Sequence, residues 1–271
     1  MKRLTLFLIL LAAAPLGAQT SAPAEPEPIM DNSFLIEEAY NQPVHVVQHI
    51  NTFQRPQQGG GWMYSFTQEW PMRSQRHQLS IGVPLQRLAD GVPGMTGVGD
   101  VALNYRLQLA GVDGGAVAFA PRLSLMLPTG DVKRGMGSGS AGAQVNLPVS
   151  VQLTPWLVTH LNAGATLVPR AHDAANATAS TTGYNLGQSV IWLARPTLNF
   201  LLETAWTSTE TVVGADVTER TNAFVVAPGV RYAFNLKSGM QIVPGAAYVI
   251  GAGPSRGTES VFTYLSIEHA F

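Results

Sequence analysis

Apolar and polar side chains alternate at every second residue through most of 44–271, and this period of two is the strongest constraint on the fold. Val101, Leu103, Tyr105, Leu107 and Leu109 share one face of an extended segment, and Asp100, Ala102, Asn104, Arg106 and Gln108 share the other. The same alternation sets Val117, Phe119, Leu123 and Leu125 against Ala118, Ala120, Arg122 and Ser124, and Val145, Leu147, Val149 and Val151 against Gln144, Asn146, Ser150 and Gln152. A soluble sandwich also alternates, so the breaks must decide. They fall at 56–61, 71–74, 86–96, 110–114, 130–139, 154–155, 169–181, 194–196, 208–219, 235–238 and 251–258, which leaves twelve strands. Every second break is short and most of the others are much longer, as in a transmembrane barrel with tight periplasmic turns and long outer loops. Strands of roughly 10 to 15 residues also exceed the length usual in soluble sheets and suit a tilted bilayer crossing.

The expected fold is therefore all-β, a transmembrane antiparallel up-and-down β-barrel of twelve strands over 44–271, preceded by a short N-terminal helix. Only 12% of residues are charged against 46% hydrophobic, low in charge for a surface that meets only water. With 16 basic and 17 acidic residues, nothing points to a nucleic-acid partner. Residues 1–18 read as an export signal: basic Met1-Lys2-Arg3, an apolar run over 4–16, then small residues ending at Ala18. Cysteine is absent, so no disulfide framework is available to an exported chain. Trp62, Trp70, Trp156, Trp192, Trp206, Tyr184, Tyr232 and Tyr248 fall near expected strand ends, where aromatic girdles sit at the headgroup level. The final strand ends on Phe271, which resembles the signal read by barrel-assembly machinery. The expected surroundings are outer-membrane lipid, reached through the periplasm.

Three motifs carry a resemblance to a family. Asp31-Asn32-Ser33-Phe34-Leu35-Ile36-Glu37-Glu38-Ala39-Tyr40-Asn41-Gln42 precedes the first strand, Gly97-Val98-Gly99-Asp100 opens the fourth, and Leu127-Pro128-Thr129-Gly130-Asp131 closes the fifth. Together they resemble the outer-membrane transporters associated with the meta-pathway of phenol degradation. The resemblance covers most of 19–271 and implies an outer-membrane barrel that passes small hydrophobic or aromatic molecules, with no catalytic residue and no cofactor.

Read physically, 33–41 is a short helix with Asn32 or Ser33 as N-cap and Phe34, Leu35, Ile36, Ala39 and Tyr40 as its apolar residues. Within the N-terminal region 19–43 it either plugs the lumen, with Phe34, Glu37 and Glu38 as plug residues, or lies over the periplasmic mouth. Asp100 and Asp131 read as turn residues, since no dense acidic run supplies a calcium site. His45 and His49 stand four apart, about 13 Å along a strand, and read as isolated and solvated rather than as a metal site. A barrel hydrolase would need a serine beside an oriented histidine, and no Gly-x-Ser-x-Gly elbow occurs, so an enzyme is not expected.

Counting from the periplasmic end of each strand places Glu69, Arg76, Arg106, Arg122, His160, Glu203, Arg231 and Glu268 within about seven residues of that end, all facing inward. This belt of charge either braces the barrel or forms its constriction, holding Glu37 and Glu38 against the arginines. Alternation also predicts that arginine at outward Leu123 or Val149 is costly and at inward Ser124 or Ser150 tolerated. The expected function is passive passage of a small organic molecule through a lumen lined by Ala, Gly, Ser, Asn and Gln. The alternative is a structural or adhesive barrel, which outer loops poor in aromatic anchors disfavour.

Overall fold

Hydrocarbon offers no partner to a backbone N–H or C=O, so an extended chain crosses it only where each strand is paired on both sides. The structure is a computed structural model that describes residues 28–29, 33–88, 95–112 and 114–271. The export signal, 19–27 and the proposed cap Asn32 lie outside these residues. Among the described residues the chain forms a closed antiparallel barrel of twelve strands. These are β1 (Val46–Pro56), β2 (Trp62–Met72), β3 (Ser74–Arg87), β4 (Thr96–Val98 and Val101–Leu107), β5 (Val117–Phe119 and Arg122–Leu127) and β6 (Gly142–Asn146 and Val149–Thr154). Then follow β7 (Leu157–His172), β8 (Thr178–Arg195), β9 (Leu198–Gly214), β10 (Val217–Tyr232), β11 (Gln241–Ala252) and β12 (Glu259–Ala270). Each strand pairs with its neighbours in sequence, and β1 pairs with β12 from Val46↔Ala270 to Pro56↔Ser260, which closes the ring.

Proline interrupts the wall without opening it. Strand β5 breaks at Ala120-Pro121 and β6 at Leu147-Pro148 because proline has no N–H to give the ladder. Their carbonyls still accept, Pro121 from the Leu107 N–H at 3.0 Å and Pro148 from the Ala120 N–H at 3.2 Å.

The faces follow the alternation. Leu123 is 56% exposed and Ser124 beside it 2%, and Leu161, Leu186 and Leu202 also stand outward. In water such a surface would be a liability, whereas in a bilayer it is the lipid contact. At the end of the barrel with the short turns Trp192 stacks on Phe200 with ring centres 5.5 Å apart, and Tyr232 meets Phe234 edge-on at 5.0 Å. Trp206 is not a girdle residue, because it sits mid-strand, paired with Leu186 and Phe224.

Two expectations fail here. The break at 208–219 is instead a tight turn, with β9 and β10 paired as far as Gly214↔Val217. Asp216 takes a left-handed φ of 56° there, which aspartate tolerates. Polar residues look like loop, but the ladder continues through them, helped by an Arg220–Glu210 ion pair at 2.9 Å between facing positions. The helix over 33–41 is also absent: the segment is a run of bends, for a reason that lies in the lumen.

A closed ring unfolds as a unit, so the protein should resist SDS until heated and then change gel mobility. Leu123→Arg, near the midplane and facing lipid, should cost about 2–4 kcal/mol in urea unfolding from detergent or lipid.

Candidate functional site

The segment 33–42 enters the barrel and follows its inner wall, and side chains from successive strands meet its backbone. At one end the Phe34 and Leu35 N–H groups donate to the two oxygens of Glu203 on β9, at 3.0 and 2.7 Å. Glu37 N–H donates to Asn162 Oδ1 on β7 at 2.9 Å, and Asn162 Nδ2 returns a bond to the Glu37 carbonyl at 2.6 Å. Ala39 N–H reaches Ser150 Oγ on β6 at 2.8 Å. Asn41 and Gln42 N–H groups reach Gln108 and Gln78 at 2.9 and 2.7 Å. A helix would satisfy those donors internally, four residues back. Here the wall satisfies them, and the chain stays irregular.

Arginine 106 ties the segment down from β4. Its Nε donates to Asn41 Oδ1 at 2.7 Å, Nη2 to the Tyr40 carbonyl at 2.5 Å, and Nη1 to the Glu38 carbonyl at 3.2 Å. The same guanidinium lies 3.3 Å from Glu37, 3.7 Å from Glu38 and 3.9 Å from Glu69. Arg122 on β5 holds Glu37 at 2.9 Å and also donates to Asn104 and Gln144. The apolar side chains have matching notches in the wall. Phe34 lies over Gly229 and Gly245, where a built Cβ would stand 2.7 and 2.6 Å from its ring, and Ile36 occupies the space left by Gly187.

Of the eight charges assigned to the belt, Glu69, Arg106, Arg122, His160, Glu203, Arg231 and Glu268 are buried or half-buried on the inner face of the wall. Arg76 is the exception. Its position has inward parity, but it lies at the rim, exposed to water. Glu37 and Glu38 join the belt from the segment, so among the described residues three arginines face five glutamates. Arg231 acts electrostatically on both Glu203 and Glu268. Ser124 and Ser150 are filled positions, the second bonded to Ala39 and to His160 Nδ1 at 2.7 Å, so the expected tolerance of arginine there is overturned. The Ser150–His160 pair is the serine–histidine contact that topology could supply, but it is wholly buried and its oxygen faces the segment's backbone. His49 is not isolated: its Nε2 stands 3.2 Å from that of His269 across the β1–β12 seam.

Above the segment lies a cavity of about 450 Å³ lined by Thr52, Asn104, Arg122, Asn146, Asn185 and Thr207, among others, with Phe34 to Glu38 as its floor. A second cavity of about 700 Å³ shares Gln144, Asn185 and Thr207 with it and leads to the outer mouth beside His172 and Glu210. The loop between β5 and β6 is fixed in that mouth by Asp100, whose oxygens accept from Gly130 N–H at 3.0 Å and from Ser138 N–H and Oγ at 2.7 and 2.6 Å. Asp131 caps the short 3₁₀ turn Val132–Arg134 in the same loop. Both aspartates are thus structural, as their turn chemistry suggested.

The chain is an outer-membrane β-barrel. Among solved structures it is similar to an outer-membrane channel from Pseudomonas putida F1, with a TM-score of 0.62 at 14% identity, covering 86% of this chain and 98% of that one. It is also similar to the NanC porin, with a TM-score of 0.54 at 8% identity, covering 83% of this chain and 100% of the porin. At such identities the likeness is one of fold. No family model matches the sequence, and no curated protein matches it.

Sequence reasoning missed the amides and hydroxyl that meet the segment's backbone: Gln78, Gln108, Ser150 and Asn162. Their common signal was inward parity near the periplasmic end, the same rule that located the charges. It also passed over Gly229 and Gly245, although glycine within a strand often marks a close approach.

Burial pushes the Glu37 carboxyl up, but Arg122 and Arg106 together with the hydrogen bonds from Asn146 and Arg122 outweigh it, and the net effect holds it below its ordinary value of 4.5. A depressed folded value means that ionised Glu37 holds the segment fully above pH 4.5 and loses that hold as the pH falls below it. Open-channel conductance in planar bilayers should therefore rise on acidification below about pH 4.5, and Glu37→Gln should show the raised level already at pH 7.

Proposed function

We propose that the chain is an outer-membrane channel for small polar organic molecules, closed from the periplasmic side by 33–42 and opened when that segment shifts. The observation that carries this reading is the cavity above the segment. Its walls mix amides, hydroxyls and the partly exposed Arg122–Glu37 pair with apolar side chains such as Ile50, and its floor is held by ion pairs and hydrogen bonds without a covalent link. The asparagines and threonines turn polar atoms toward a solute with its own donors and acceptors, whereas a bare hydrocarbon would displace water from those atoms and offer nothing in return. Resemblance to the phenol-pathway transporters adds aromatic compounds to the class, provided they carry polar groups.

Closure by ion pairs and hydrogen bonds, alongside the seated Phe34 and Ile36, leaves a cavity above the segment and favours a channel over an adhesive or purely structural barrel. A brace needs no cavity above it. Removing one partner of a buried ion pair leaves the other uncompensated, at a cost of about 3–5 kcal/mol, so loss of arginines should expel the acidic segment. The double variant Arg106→Ala, Arg122→Ala, folded by the heat-mobility criterion, should show larger single-channel conductance and faster entry of small polar solutes into proteoliposomes. Unchanged conductance in that variant would reduce the charges to a brace.

A further inference from the structure

The contacts that seat Phe34 are separate from the Arg106 and Arg122 contacts that hold Glu37 to Asn41. Its ring lies in a slot whose floor is Gly229 of β10 and Gly245 of β11, where any side chain would collide with it. Phe262 and Tyr264 of β12 form the walls, with ring centres 5.5 and 5.3 Å from that of Phe34 at tilts of 39° and 41°. These are favourable aromatic geometries and require a flat ring. At the head of the slot, wholly buried Glu203 receives two adjacent N–H donors, one on each oxygen.

We propose that this slot is a ligand site, taken by small molecules that carry an aromatic ring two carbons from one N–H donor with a second donor close by. Phe34 and the Leu35 N–H occupy it as the chain's own copy of such a ligand. Access is from outside, because Phe34, Leu35 and Tyr264 line the cavity of about 450 Å³ that opens toward the outer mouth. A free ligand competes against a tethered one, whose effective concentration is high, so displacement needs ligand in excess. A carboxylate beside the amine would face Glu203, so aromatic amino acids with a free carboxylate are excluded while their amides are accepted. The inference rests on the reading that the segment can shift, and it names the molecules able to shift it.

L-Phenylalaninamide supplies the ring, the amine and the amide N–H in this arrangement. In the full chain in detergent, Phe34→Ala empties the aromatic part of the slot, while the N–H groups of residues 34 and 35 still reach Glu203 and must give way to the ligand's donors. Calorimetric titration should show saturable binding of L-phenylalaninamide to this variant, at least tenfold tighter than to the wild type and at least tenfold tighter than L-phenylalanine. Adding Gly245→Leu refills the slot and should abolish binding. Adding Glu203→Gln, which preserves shape, should erase the preference over L-phenylalanine. The proposal is overturned if Phe34→Ala, folded by heat mobility, binds no L-phenylalaninamide, fails to discriminate against L-phenylalanine, or keeps its preference without Glu203. Failure of the gating reading looks different: binding to Phe34→Ala would persist while L-phenylalaninamide left wild-type conductance unchanged. Conversely, an open Arg106→Ala, Arg122→Ala channel beside a Phe34→Ala variant without binding would overturn the ligand site alone.

Discussion

Every backbone N–H and C=O that meets hydrocarbon needs a partner within the protein, and the rest of this structure follows from meeting that requirement around a ring. The β1–β12 pairing removes the last free edge, and the ladder is extended past its end by Phe271 N–H donating to the His45 carbonyl at 3.0 Å. Closure dictates alternation, since each strand then shows one face to lipid and one to the lumen. It also explains why Pro121 and Pro148 are tolerated. Each forfeits a donor, but their carbonyls remain in the hydrogen-bonded wall.

Inside the ring the same accounting applies to a chain that pairs with no strand. Segment 33–42 satisfies its backbone with side chains, from Glu203 at one end to Gln78 at the other, and its carbonyls at Glu38 and Tyr40 accept from Arg106. A wall of alanine and serine alone could not do this, and the long amides and the arginine reach where backbone cannot. Apolar seats at Gly187, Gly229 and Gly245 fix the register of the segment against the wall. Carboxylates of Glu37 and Glu38 then complete the surroundings of an arginine that would otherwise be buried among too few partners. Each side stabilises what the other would find costly to bury alone.

Much of the architecture was legible because a period of two is geometric. Leu123 outward and Ser124 inward follow from parity, as do the inward directions of Arg106, Arg122, Glu203 and Arg231. Depth was legible too, by counting residues from a turn, and it placed the charges together near the periplasmic end. Parity says which way a side chain points, not whether barrel surrounds it at that height, and so it misplaced Arg76. The loop over 208–219 was misread for a related reason: polar residues signal water, but a hairpin can stand in water as a ladder.

By itself, then, the sequence determined the strands, their faces, their number and the level of the charges, because those properties depend on local alternation and on distance along the chain. Only the tertiary structure decided that 33–42 lies inside the lumen, that it is not a helix, and that Phe34 has a seat between Gly229 and Gly245. Nothing local in Ser33 to Gln42 forbids a helix. What does is the supply of acceptors on the wall, contributed by β3, β6, β7, β9 and Gln108 just past the end of β4, at sequence separations of 36 to 169 residues, and these become neighbours only when the ring closes.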